Sequence, residues 1–313
     1  MLEGKRVAVV VPAFDEERLV GETLRGIPDF VDRIYLVDDA SRDSTTAHAE
    51  AVGDPRVELF RHERNSGVGA AIATGYRRAL EEEIDVTCVM AADNQMDPAE
   101  LEALVEPVAR GEVEYSKANR LVSGEAWKVI PRMRYLGNAV LSLLTKIASG
   151  YWHVADSQAG YTALSLGALQ RLDLDRLYPR YGFPNDMLVH LNVQNARVRD
   201  VPSRPIYDVG EESGIKLRSV VPRISWLLFK AFWWRMGQKY VIRDFHPLVF
   251  FYVFGVVMTV AGLILGVIEA VLRIAGNQIT TPTIVLVAVL LIAGLQMTLF
   301  AMWFDMEANK DLR

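Results

Sequence analysis

Val86-Thr87-Cys88-Val89-Met90-Ala91-Ala92-Asp93-Asn94-Gln95-Met96-Asp97-Pro98 is the stretch that decides the fold. Its apolar start reads as a strand buried on both faces. Its polar end places Asp93 and Gln95, two hard oxygen donors, two residues apart. Asp97 before Pro98 reads as a helix start, a structural role. Strand, acidic turn and helix repeat on both sides of it. Strand-like runs at 6–11, 33–37 and 57–61 alternate with helix-like runs at 16–27, 44–52 and 69–80, and 98–110 is helical again. Such alternation predicts an α/β fold with a mainly parallel sheet. In sheets of this kind ligands bind beyond the carboxyl ends of the strands, which is where the polar signals sit.

Three more motifs follow strands. Pro12-Ala13-Phe14-Asp15-Glu16-Glu17 follows the first. Its acidic cluster suits a nucleoside, or Asp15 caps the next helix. Val37-Asp38-Asp39-Ala40-Ser41-Arg42-Asp43-Ser44 follows the second. Asp38 and Asp39 suit ribose or base recognition, whereas Asp43 or Ser44 reads as an N-cap. Asn65-Ser66-Gly67-Val68-Gly69-Ala70-Ala71 opens a helix after the third. Ile72 stands where a dinucleotide fingerprint needs a small residue, so that fingerprint is rejected. A glycine turn that lets backbone approach a ligand or another element remains.

The chain has 313 residues, a net charge of -5 and a single cysteine. The weak, mixed charge carries no nucleic-acid footprint. Cys88 reads as a buried strand thiol, and no internal disulfide is available. No signal peptide is expected at the start. The apolar residues concentrate late in the chain. Residues 248–268 and 279–304 hold no charged residue, and each meets the length of about 20 apolar residues that a membrane span needs. Arg273, Asn277 and Pro282 lie in the connector, which predicts a helical hairpin. Residues 220–241 mix Trp226, Phe229, Trp233 and Trp234 with Arg223, Lys230, Arg235 and Lys239. That mixture favours the headgroup region and predicts an interfacial helix. Basic residues before the hairpin, and Lys310 and Arg313 after it, place both termini and the N-terminal domain in the cytoplasm under the positive-inside rule.

The ordered motifs resemble family 2 glycosyltransferases of the GT-A fold, within them the dolichyl-phosphate mannose synthase and polyprenyl-phosphate glucosyltransferase group. Ala91 stands where that family carries the first Asp of Asp-x-Asp-x-Gln, while Asp93 and Gln95 match the second Asp and the Gln. Asn119-Arg120, Arg132 to Asn138, Asp156 to Tyr161, Tyr181 to Asp186 and Glu211 to Lys216 continue the likeness, with Ala159 replacing a family Ser. Together with the apolar and basic runs, the resemblance divides the chain into a cytoplasmic GT-A domain over 1–217, an interfacial region over 218–244, a hairpin over 245–306 with spans at about 247–270 and 281–304, and a tail over 307–313.

It implies transfer of a hexose, with inversion, from a UDP- or GDP-sugar to a polyprenyl (dolichyl or undecaprenyl) phosphate. Mg²⁺ or Mn²⁺ would sit on Asp93 and Gln95. The sugar nucleotide would meet Pro12, Phe14, Glu16, Asp38, Asp39, Gly67, Ala92 and Asp93. Arg132, Arg134, Asn138 and Lys216 would meet the acceptor phosphate, and Asp93, Arg120, Arg134 and Asp156 would form the catalytic set. Asp156 would orient the sugar or an arginine, or cap structure behind the site. Membrane lipid is an expected partner, nucleic acid is not, and a homo-oligomer is allowed. Two other readings stay open. One is a membrane glycosyltransferase with a polysaccharide or other lipid acceptor, although the Gln-x-x-Arg-Trp signature of processive synthases is absent. The other is an inactive sugar-nucleotide-binding scaffold, which Ala91 keeps in play.

Overall fold

β-Branched residues stiffen the backbone and pack well on a pleated surface. Strand β1 (Val7–Ala13) is four valines among seven residues and is buried throughout. β2 (Arg33–Asp38), β3 (Val57–Arg61) and β4 (Val86–Val89) run parallel to it or to its neighbour. β5 (Tyr115–Asn119), β6 (Thr162–Ser165) and β7 (Val198–Pro202) complete the order β3-β2-β1-β4-β6-β5-β7. β6 is antiparallel to β4 and β5, and β5 is parallel to β7. The sheet is therefore mainly parallel, with one reversed strand. The computed structural model describes residues 1–122, 132–204, 206, 217–276 and 280–313, without the side chains of 132–136 and 217–220.

Alternate residues of a strand face opposite sides, and β1 feeds two cores in this way. Val7, Val9 and Val11 join Leu24, Leu36 and Leu104 on one face. Ala8 and Val10 join Tyr35, Tyr76 and Leu188 on the other. The first face carries α1 (Val20–Gly26), α2 (Thr45–Glu50) and α4 (Leu101–Ala109), the second α3 (Val68–Glu81). Gly75 sets the height of α3, because a Cβ there would stand 2.4 Å from Val10 Cγ1. Further helices are α5 (Arg132–Ser149), α6 (Leu166–Arg171), α7 (Phe183–Val193) and α8 (Leu217–Gly237).

The helix read over 16–27 is shorter than expected, α1 beginning only at Val20. Glu16 N–H donates to Thr45 Oγ1 at 2.8 Å and Glu17 N–H to Asp43 Oδ2 at 3.0 Å. These bonds tie the turn at 16–17 to the start of α2. Asp15 caps across the gap as well, accepting from Arg42 N–H at 2.8 Å.

The chain divides into two compact units, Met1–Phe232 with Asp311–Arg313, and Trp233–Lys310. The second unit holds a π-helical turn (Gln238–Arg243) and two helices, α9 (Leu248–Ile274) and α10 (Thr281–Ala308), each long and apolar enough to cross a membrane. Both helices outlast their apolar runs, α9 through Glu269 and Arg273, α10 through Asp305. Small residues let them approach: a Cβ on Gly255 would lie 2.6 Å from Thr298 Oγ1, and one on Gly294 2.5 Å from Thr259 Oγ1. In the same unit Arg235 grips Asp305 through two bonds of 2.8 and 2.9 Å, with both side chains fully buried. Tyr240 Oη donates to Asp305 Oδ1, and Asn309 bridges Tyr240 and Lys239.

Candidate active site

The site grows from the carboxyl ends of three parallel strands. β1 ends in Pro12, Ala13 and Phe14, β2 leads into Asp39, and β4 leads into Ala91, Ala92 and Asp93. With Glu16, Asn65 and Gly67 they wall a cavity of about 290 Å³. Arg180 and Tyr181, ahead of α7, close it on the far side.

Gly67 has φ 102°, and a Cβ there would meet Pro179 O at 2.4 Å. Only glycine tolerates both demands. The close approach is therefore to the 178–181 segment of the protein itself, which brings Arg180 and Tyr181 to the cavity. Asp39 is 3% exposed and ties the turn down. Its carboxylate accepts from Ser66 N–H at 2.9 Å and Gly67 N–H at 2.7 Å, and contacts His62 Nδ1 at 2.7 Å.

Asp93 Oδ1 accepts Gln95 N–H at 3.1 Å, across Asn94 at φ 56°. Burial pushes the Asp93 carboxyl above its ordinary range, against the weaker pull of that N–H and of Arg120. Such a carboxylate gains from a bound cation. Among the described residues no group of three or more His, Cys, Asp or Glu gathers to hold a metal. A single carboxylate with an amide fits Mg²⁺ or Mn²⁺ only when phosphate oxygens and water supply the rest of the shell.

Arg120 follows β5 and forks onto Asp156, with Nε to Oδ2 at 2.8 Å and Nη2 to Oδ1 at 3.2 Å. Burial would raise the Asp156 carboxyl, but Arg120 and Lys117 overcome it and hold the group below the ordinary range. Beneath the pair, the fully buried Lys117 donates Nζ to Asp156 O. Asp200 Oδ2 accepts from Asn119 Nδ2 and from Ala155 N–H, each at 2.7 Å, which braces the loop carrying Asp156.

Residues 8–172 match the sequence profile described as Glycosyl transferase family 2. The chain belongs to that family. The undecaprenyl-phosphate mannosyltransferase of Micrococcus luteus is 30% identical over 230 residues, 71% of this chain and 93% of the relative. The UDP-N-acetylglucosamine–dolichyl-phosphate N-acetylglucosaminyltransferase of Methanococcus voltae is 28% identical over 218 residues, 65% of this chain and 86% of the relative. In fold, the chain is similar to glucosyl-3-phosphoglycerate synthase of Mycobacterium tuberculosis crystallised with UDP, at TM-score 0.57 and 20% identity over 75% of this chain and 81% of that one. The same enzyme crystallised with Mn²⁺, UDP and phosphoglyceric acid gives TM-score 0.56 at 19% identity, over 75% and 79%. The fold is GT-A, followed by two apolar helices that can span a membrane.

In this family 2 glycosyltransferase the cavity gathers Pro12, Phe14, Glu16, Asp39, Gly67, Ala92 and Asp93 from the residues singled out in the sequence. Asp38 is a correction. Its carboxylate is fully buried and turned away, accepting from Ser41 N–H and Thr46 Oγ1 at 2.9 Å and pairing with Arg61 at 3.3 Å. Successive strand residues face opposite sides, so only one of two adjacent aspartates reaches the crevice. Asp43, not Ser44, holds the first turn of α2, through Thr45 N–H at 3.0 Å. Asp97 caps at Ala99 N–H at 2.9 Å as expected. Asp156 is paired with Arg120 in a two-bonded fork.

Gln95 sits half-buried on the Asp93 turn, and Asn138 half-buried on α5. The segment singled out for acceptor phosphate begins as helix at Arg132. The side chains of Arg132 and Arg134, and Lys216 as a whole, lie outside the described residues. Sequence reasoning missed Arg180, Lys117, Asp200 and His62. A lysine in the middle of an otherwise uncharged strand was a usable signal. Nothing local marks Arg180.

Proposed function

We propose that this glycosyltransferase moves a hexose from a nucleoside diphosphate sugar to a polyprenyl phosphate at a membrane surface. The observation that carries the reading is the single cavity that joins Phe14, Glu16, Asp39 and Asp93 at the ends of β1, β2 and β4. The two named relatives, whose acceptors are undecaprenyl and dolichyl phosphate, support that acceptor class.

The nucleoside packs against Pro12, Phe14 and Gly67 and is recognised by Asp39, with Glu16 beside it. The diphosphate lies toward Asp93 and Arg120. An oxygen of the acceptor phosphate attacks the anomeric carbon, the bond from that carbon to the diphosphate oxygen breaks, and the nucleoside diphosphate leaves with the electron pair. The attacking phosphate is already ionised at neutral pH, so positioning and charge stabilisation supply most of the catalysis. Arg120, fixed in a fork by Asp156, is assigned to the developing negative charge. A divalent cation on Asp93 and Gln95 would neutralise the departing diphosphate. Arg134, with Arg132, Asn138 and Lys216, is assigned to the acceptor phosphate.

Exposed Trp226 and Phe229 stack at 5.4 Å on α8, with exposed Arg223 and Lys230 beside them. This supports an interfacial helix that brings the site to the lipid headgroups. The basic residues flanking the hairpin support a cytoplasmic placement of both termini.

Membranes containing the protein should transfer radiolabelled sugar from a UDP- or GDP-sugar into solvent-extractable lipid when given a polyprenyl phosphate. Label in polymer would point to the polysaccharide reading. Nucleotide binding without transfer would point to an inactive scaffold, the reading that Ala91 in the cavity wall favours.

A further inference from the structure

Behind the glycine turn lies a second cavity, of about 570 Å³, lined in part by Arg61, His62, Ser66, Gly69 and Thr74. Asn65 and Gly67 wall the first cavity and Ser66 and Gly69 the second, so one turn separates the two. His62 reaches across it. Its Nδ1 is 2.7 Å from Asp39 Oδ1 and its Nε2 is 3.0 Å from Thr74 Oγ1.

The partners decide the protons. An ionised carboxylate only accepts, so Nδ1 carries a hydrogen. Thr74 Oγ1 also lies 3.1 Å from Ala70 O. With its hydroxyl proton on that carbonyl, Thr74 offers His62 a lone pair, and Nε2 donates as well. Only the imidazolium has hydrogen on both nitrogens. Asp39 is almost fully buried, and a buried carboxylate is costly without a paired charge. The other charged groups lining the second cavity with His62 are Arg61, Glu63, Arg64, Arg77 and Asp175. Arg61 is paired with Asp38, and Arg77 with Asp175.

We propose that His62 is a positioning residue: an imidazolium that neutralises Asp39 and fixes its carboxylate, and with it the Ser66–Gly67 turn, for the nucleoside of the donor. This rests on the reading of Asp39 as a donor contact. Without the ring, Asp39 keeps its two backbone donors but is free to turn about them. His62 makes no contact with substrate and acts through Asp39.

The test uses the full chain in lipid nanodiscs. Long-range ¹⁵N–¹H spectra of histidine-labelled protein, with the His62 signal assigned by its loss in His62→Phe, should show both ring nitrogens protonated at neutral pH. Calorimetry with UDP and with GDP should show roughly tenfold weaker nucleotide binding in His62→Phe, the loss of one charge-assisted bond. His62→Gln, which keeps one donor, should recover part of it. In an Asp39→Asn background His62→Phe should add little, because the two act as one unit. Melting curves confirm that each variant is folded. A neutral ring with one protonated nitrogen, or additive effects of the two substitutions, would overturn the proposal. If the wild type binds neither nucleotide, the donor-site reading fails, and the ring spectrum alone decides the state of His62.

Discussion

Asp93, half-buried, and Asp156, fully buried, both lie near Arg120, and their environments push them in opposite directions. Asp93 is raised above its ordinary range by burial, so its charged form opposes folding at neutral pH. Asp93→Asn should therefore melt at a higher temperature than the wild type while sugar transfer falls by at least about a hundredfold. A variant that keeps wild-type turnover would remove Asp93 from the metal site. Asp156 is held low, burial being outweighed by Arg120 and Lys117. A depressed carboxyl contributes stability that is complete above its unfolded value, about 3.9, and is lost as pH falls through its lower folded value. Asp156→Asn should cost about 3 kcal/mol at neutral pH because it leaves Arg120 without its fork. Denaturant titrations should show the gap between variant and wild type closing in the acid range below about pH 4.

At the scale of elements, two glycines of one helix region answer to different neighbours. Gly67 combines φ 102° with a Cβ position 2.4 Å from Pro179 O. Gly67→Ala should cost about 1–3 kcal/mol and displace the turn on which Asp39 rests, weakening UDP or GDP binding in calorimetry. The methyl of Gly75→Ala would stand 2.4 Å from Val10 Cγ1. It should destabilise by a similar amount yet leave the nucleotide affinity of the folded protein unchanged. In the second unit, the buried Arg235–Asp305 pair is the joint between the end of α8 and α10. Asp305→Asn should lower stability by about 3–5 kcal/mol, because it strands a buried guanidinium. Arg235→Met with Asp305→Leu should recover much of that loss in thermal melts in detergent, since an apolar pair of similar volume incurs no desolvation cost.

For the whole molecule, orientation in the membrane is read by cysteine labelling. Cys88 is fully buried and burial pushes its thiol up, so it should stay silent to maleimides and leave a clean background. A cysteine placed by Ala275→Cys, in the connector between α9 and α10, should label with an impermeant maleimide from outside intact cells. A cysteine placed by Lys310→Cys should label only after permeabilisation. The reverse pattern would put the catalytic unit on the other side of the membrane.

Periodicity and turn chemistry carry the parts of this protein that depend on neighbours along the chain. Runs rich in β-branched residues set β1 and β4, the apolar lengths set α9 and α10, and the polar residues after each strand mark the end of the sheet where a ligand sits. The family resemblance rests on the same local order. What depends on partners distant in the chain was not legible. The reversal of β6 between β4 and β5 follows from how the sheet is closed, not from the four residues 162–165 themselves. Asp38 and Asp39 are identical in sequence terms, and only the pleat decides that one caps a turn while the other faces the cavity. The ring of His62 lies 23 residues from Asp39 and the Arg120 fork 36 residues from Asp156. Hydrogen bonds and desolvation act through space, so these charges acquire their partners, and their chemistry, only once the sheet has brought them together.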